Sequence, residues 1–76
     1  MATSVKSELK RSLSIKGHRT SLSLEPEFWA ALKTAATEDQ KSLAALVSDI
    51  DEGRGERNLS SAIRVWVLAR AKTSSR

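Results

Sequence analysis

Residues 18–25 read His18-Arg19-Thr20-Ser21-Leu22-Ser23-Leu24-Glu25, in which Thr20, Leu22 and Leu24 alternate with Arg19, Ser21 and Ser23. A period of two sends alternate side chains to opposite faces of an extended strand. One face is apolar; the other carries a guanidinium and two hydroxyls. The residues after Glu25 have helical spacing, so the chain reads as mostly α with one short β-strand. A lone strand leaves its backbone N–H and C=O groups without partners. The same strand of a second copy is the expected partner, paired antiparallel. A two-stranded ribbon with one polar, cationic face has the shape of an object that enters a DNA major groove.

With 76 residues the chain makes one small domain, in the range where a monomeric core is marginal and oligomerisation, metals or disulfides usually help. It has no cysteine, which removes disulfides and thiolate metal sites and leaves oligomerisation. No apolar run approaches membrane-spanning length and no apolar leader block is visible. A cytoplasmic protein without membrane contact is the expectation, associated with the nucleoid when bound to DNA. The net charge of +4 is unevenly placed. Up to Arg19, Lys6, Lys10, Arg11, Lys16 and Arg19 face only Glu8, whereas the remainder is balanced between eight cations and eight anions. The excess in the N-terminal quarter suggests a polyanionic partner.

Residues 1–11 are rich in Ser, Thr and Lys and read as a flexible basic arm. Residues 12–72 read as the folded domain and 73–76 as a frayed tail. Ser12-Leu13-Ser14-Ile15-Lys16 alternates again, but Leu13 and Ile15 are odd-numbered where Leu22 and Leu24 are even. One continuous strand would put the two pairs on opposite faces. Either Gly17 kinks the strand or Lys16 to Arg19 turns a hairpin. The kink is favoured here because Lys-Gly-His-Arg lacks a strong hairpin dipeptide such as Asn-Gly. Glu25-Pro26-Glu27 opens a first helix, with Pro at the first helical position and acidic groups at the positive end of the dipole. This helix runs to about Asp39 and carries Phe28, Leu32 and Ala35, with Trp29 and Ala36 beside them. Ser42 caps a second helix with Leu43, Leu46, Val47 and Ile50 on one stripe, fading from Asp51 to Gly55. Asn58 or Ser60 caps a third, through Leu59, Ile63, Trp66 and Val67 to about Ala71. Val65 and Leu68 lie outside its main stripe, so that helix is expected to be covered on two sides.

Strand, helix, turn, helix over His18 to about Asp51 resembles the ribbon-helix-helix family of DNA-binding proteins. The resemblance is carried by the alternating Arg-Thr-Ser-Leu-Ser-Leu strand, the acidic, proline-containing helix entry, and Lys41-Ser42 opening the second helix. Gly17 to Glu27 together with Asn58-Leu59-Ser60-Ser61-Ala62-Ile63-Arg64 is similar to a bacterial subgroup with an added third helix. The resemblance implies a homodimer with an intermolecular ribbon and a shared core of Leu22, Leu24, Phe28, Leu32, Leu46, Val47, Ile50 and Trp66. It implies that Arg19, Ser21 and Ser23 meet base edges in double-stranded DNA. Ser42 and the amides of Leu43 and Ala44 would hold phosphate, helped by Lys6, Lys10, Arg11, Lys16 and Lys41. A transcriptional repressor is the expected role.

The chemistry of these residues agrees with that role. Arg makes bidentate contacts to guanine and Ser donates or accepts with less discrimination, while helix amides and cations hold phosphate without reading sequence. His18, the sole histidine, has no carboxylate or second ligand nearby in sequence and reads as a ribbon-end residue. Gly53-Arg54-Gly55 lacks the Gly-Lys-Ser/Thr of a phosphate loop. No nucleophile, base and oxyanion site assemble, so no catalytic, metal or cofactor residues are expected and the chain is not read as an enzyme. Treating Ser42–Asp51 and Asn58–Ala71 as a helix-turn-helix requires too long a connection and a largely apolar recognition helix. The rival from another class is an antitoxin or adaptor whose third helix docks a protein partner.

Overall fold

Lys16 and Gly17 both lie at positive φ, 54° and 82°. Two consecutive left-handed residues are what a type I′ turn requires, and its twist matches the strands it joins. The chain therefore reverses at this point. In the computed structural model, which describes residues 8–74, β1 (Leu9–Ile15) and β2 (His18–Leu24) form an antiparallel hairpin. After it come α1 (Pro26–Glu38), α2 (Leu43–Glu52) and α3 (Leu59–Ser74). The expected kink is replaced by a hairpin, and β2 finds its partner inside its own chain. Asn-Gly is not needed, because glycine at the second turn position removes the steric cost there and only Lys16 bears it.

The register resolves the parity conflict. Leu13 faces Thr20 and Arg11 faces Leu22, so every rung joins an odd-numbered residue of one strand to an even-numbered residue of the other, or the reverse. Ile15, Leu22 and Leu24 consequently share the face that the helices cover, with Leu13 half-buried beside them. β1 begins at Leu9, so Leu9, Lys10 and Arg11 belong to the sheet and not to a flexible arm. Tertiary contacts explain this: the Trp29 indole N–H donates to the Leu9 carbonyl at 3.0 Å, and the Arg11 guanidinium lies 5.3 Å from the centroid of the same indole.

The helix ends obey local chemistry. Pro26 opens α1, and the amides of Phe28 and Trp29 donate to the Glu25 carbonyl. Gln40, at φ 58°, closes it, with the Lys41 amide reaching back to the Ala36 carbonyl and the Gln40 amide to Thr37 in a Schellman arrangement. Ser42 caps α2 by accepting from the Ala45 amide at 3.0 Å. Asn58 is the cap of α3, accepting from the Ser61 amide at 2.8 Å. Ser60 instead donates its hydroxyl to the Ser23 carbonyl at 3.1 Å and ties α3 to β2. α3 extends past the expected Ala71 to Ser74, with the Thr73 hydroxyl donating to the Ala69 carbonyl.

Leu22, Leu24, Leu32, Leu46, Val47 and Ile50, expected in a core shared between chains, are buried within one chain together with Trp29 and Ile63. Phe28 and Trp66 are only half-buried. α3 is buried on one side, at Ala62 and Ile63, and leaves Val65 and Leu68 45% and 59% exposed. Arg64 and Arg70 hold α3 to both ends of α1: Arg64 donates to both Glu25 carboxylate oxygens at 3.0 and 3.2 Å, and Arg70 reaches Glu38 and Asp39 at 3.1 Å.

Gly17→Ala should cost about 1 kcal/mol, because the added Cβ meets the left-handed penalty even though open space surrounds it; urea denaturation measures this. Hydrogen bonds from Arg64 and Arg70 hold the Glu25 and Asp39 carboxyls below their ordinary values. A depressed folded-state value stabilises the fold above the unfolded value and is lost as pH falls through the folded one. The urea midpoint should therefore fall between about pH 5 and pH 3, and the fall should be shallower in Arg64→Met and Arg70→Met.

Candidate nucleic-acid interface

The hairpin has two faces of opposite character. Its inner face lies on the helices; its outer face consists of the rungs Lys10–Ser23, Ser12–Ser21 and Ser14–Arg19. All six outward residues are polar, giving two cations and four hydroxyls on a ribbon two strands wide. Every one is exposed except Ser23, which is half-buried. Among the described residues, neither Lys10 nor Arg19 stands within ion-pair distance of a carboxylate. Paired strands lie about 4.8 Å apart, and with their side chains they fit a groove about 12 Å wide.

Arg19, Ser21 and Ser23 thus share one face, joined by Lys10. Ser12 and Ser14 stand on the same face and were not among the expected contacts. The parity difference between Leu13 and Leu22 was the available signal, since a hairpin with odd-to-even rungs turns these two serines outward. The other expected phosphate contacts lie elsewhere. Arg11 is on the inner face, its guanidinium over Trp29 at the rim. Lys16 occupies the turn and pairs with Glu52 at 3.2 Å. Lys41 pairs with Asp49, which raises its pKa above the ordinary lysine value. Leu43 and Ala44 are half-buried at the start of α2; their amides, in the first helical turn, have no partner within the helix. That helix places its C-terminal Glu52 beside the hairpin turn, so its N-terminus lies about 15 Å from that end. Lys6 lies outside the described residues. His18 sits at the end of the ribbon, in a cleft with Lys16, Thr20, Asp51 and Arg54.

Among the described residues no helix is long and apolar enough to cross a membrane, and no group of His, Asp and Glu side chains could hold a metal ion. A family model described as a ribbon-helix-helix domain matches residues 8–71, and the chain belongs to that family. It is a family of DNA-binding regulators whose domains are typically not enzymes. No curated protein and no solved structure matches the chain.

Proposed function

We propose that the chain is a sequence-specific double-stranded DNA-binding protein, a bacterial transcriptional repressor acting as a homodimer in the cytoplasm. In this reading the outer face of the hairpin enters the major groove. The observation that carries it is the all-polar outer face with Lys10 and Arg19 unopposed by nearby carboxylates among the described residues. Arg19 supplies the most discriminating contact, since its planar fork can bond guanine O6 and N7 together, while Ser21 and Ser23 add adaptable hydrogen bonds. Lys6, Arg11, Lys16, Lys41 and the Ser42, Leu43 and Ala44 end of α2 serve as contacts to the phosphate backbone. For Lys16 and Lys41 this means exchanging an exposed carboxylate partner for phosphate, a modest change because exposed pairs contribute little.

The test is binding to DNA from the protein's own upstream region, with mixed-sequence DNA as control. Arg19→Ala should lose about 1 to 3 kcal/mol of discrimination per contact while keeping weak, salt-sensitive general binding. Unchanged discrimination in this variant would remove the strand from the reading role.

The exposed Val65 and Leu68, with Phe28, Val67 and Ala71 around the same apolar depression, favour a second reading. Here α3 docks a protein partner, as an antitoxin or adaptor would. Leu68→Asp should leave stability within about 0.5 kcal/mol, because the side chain is exposed, and DNA binding should survive. Loss of DNA binding by this folded variant would make the patch a contact within the DNA-bound assembly and exclude an independent docking role.

A further inference from the structure

Val65, Leu68 and Lys72 recur at intervals of three and four along α3, so they lie on one stripe of that helix. All three are exposed, whereas Ala62 and Ile63 on the opposite side are buried. Charge decides what can cover this stripe. α3 carries Arg64, Arg70 and Lys72 and no acid, a composition that by itself would attract an acidic partner. Each guanidinium, however, already faces two carboxylates: Arg64 has Glu25 at 3.0 Å and Glu8 at 3.4 Å, and Arg70 has Glu38 and Asp39 at 3.1 Å. One cation against two anions leaves each cluster negative, so an acidic or phosphate-bearing partner would meet like charge at both. Among the described residues, Lys72 has no carboxylate within ion-pair distance. The stripe thus has an unpaired cation on one side of Leu68 and an anionic cluster on the other. Such a surface is complementary to itself when turned end for end.

We infer that the outer stripe of α3 docks the same stripe of another copy of this chain, antiparallel, with Leu68 at the two-fold axis. The inference rests on the reading of α3 as a docking surface and names its partner. It leaves the outer face of the hairpin free and does not depend on how that face engages DNA. In an antiparallel pair centred on Leu68, a residue before it in one copy faces the residue equally far after it in the other. Val65 then faces Ala71, a branched side chain against a small one. Lys72 of each copy comes to the Glu8, Arg64 and Glu25 cluster of the other, four residues or about 6 Å along the axis from Leu68. Two equivalent ion pairs flank the apolar centre, and no cation faces an unneutralised cation. The stripe is short, so this is a concentration-dependent contact rather than a permanent interface.

The experiment is sedimentation equilibrium of the full chain from micromolar to near-millimolar concentration, with Leu68→Asp, Lys72→Glu and the double variant Lys72→Glu with Glu8→Lys. All three positions are exposed, and circular dichroism checks that each variant remains folded. With rising concentration the wild-type mass should climb towards double that of Leu68→Asp. Leu68→Asp should weaken the association at least about tenfold, since it sets a charge against its own copy at the apolar centre. Lys72→Glu should weaken it about threefold or more, and adding Glu8→Lys should restore it by reversing the pair. Equal masses for wild type and Leu68→Asp across the series would show that a second copy is not the occupant; the inference fails while docking of a different protein stands. If Lys72→Glu has no effect, or Glu8→Lys does not restore what it lost, the antiparallel arrangement is wrong and the inference is overturned. Loss of DNA binding by Leu68→Asp at unchanged mass would instead remove the docking reading itself.

Discussion

The backbone reversal at Lys16 and Gly17 is the constraint on which the rest of the fold depends. Two left-handed residues in succession set the length of the turn, and the turn sets the register. Shifting that register by one residue would move Leu22 and Leu24 to the solvent and bring Ser21 and Ser23 onto the helices. Burial of Leu22 and Leu24 therefore selects the register that sends the strand serines outward. The turn and the core enforce the same answer.

Much of this was legible in the residues. The period-two alternation located β2, Pro26 and Ser42 located the starts of two helices, and the stripes of Leu32, Leu46, Val47 and Ile50 identified buried positions. The partner of β2 was harder to see, because Leu9-Lys10-Arg11 has the composition of a solvated tail. Its order comes from Trp29, twenty residues away, and from the opposite strand; local patterning contains neither. The same limit applies to the site. Arg19, Ser21 and Ser23 could be placed on one face from β2 alone, whereas Ser12 and Ser14 join them only once the hairpin register is known. Among the positions picked by spacing, Leu22, Leu24, Leu32, Leu46, Val47 and Ile50 are buried in the chain, whereas Phe28 and Trp66 are half-buried.

The third helix is held by polar as well as apolar contacts. Ile63 is buried, while Arg64 and Arg70 reach the acidic groups at the two ends of α1 and stack near Phe28 and Trp66, 5.8 and 5.3 Å from the ring centroids. α3 itself contains no acidic residue. Its cations thus neutralise charge on α1, and the basic excess remains at the N-terminal end of the chain. Glu25 serves twice: its carbonyl accepts the first amides of α1, and its carboxylate receives Arg64. It stands where strand, first helix and third helix meet.

The closure of β2 onto β1 also bears on how the fold is reached. An interleaved ribbon cannot complete its sheet until two chains collide, so its folding rate depends on concentration. Here the strand pair spans a two-residue turn, and hairpins of this kind form in about 1 to 10 microseconds. The pairing of β1 with β2 is local in sequence, and local contacts favour rapid folding. In this hairpin both strands come from one chain, so their pairing needs no encounter between chains.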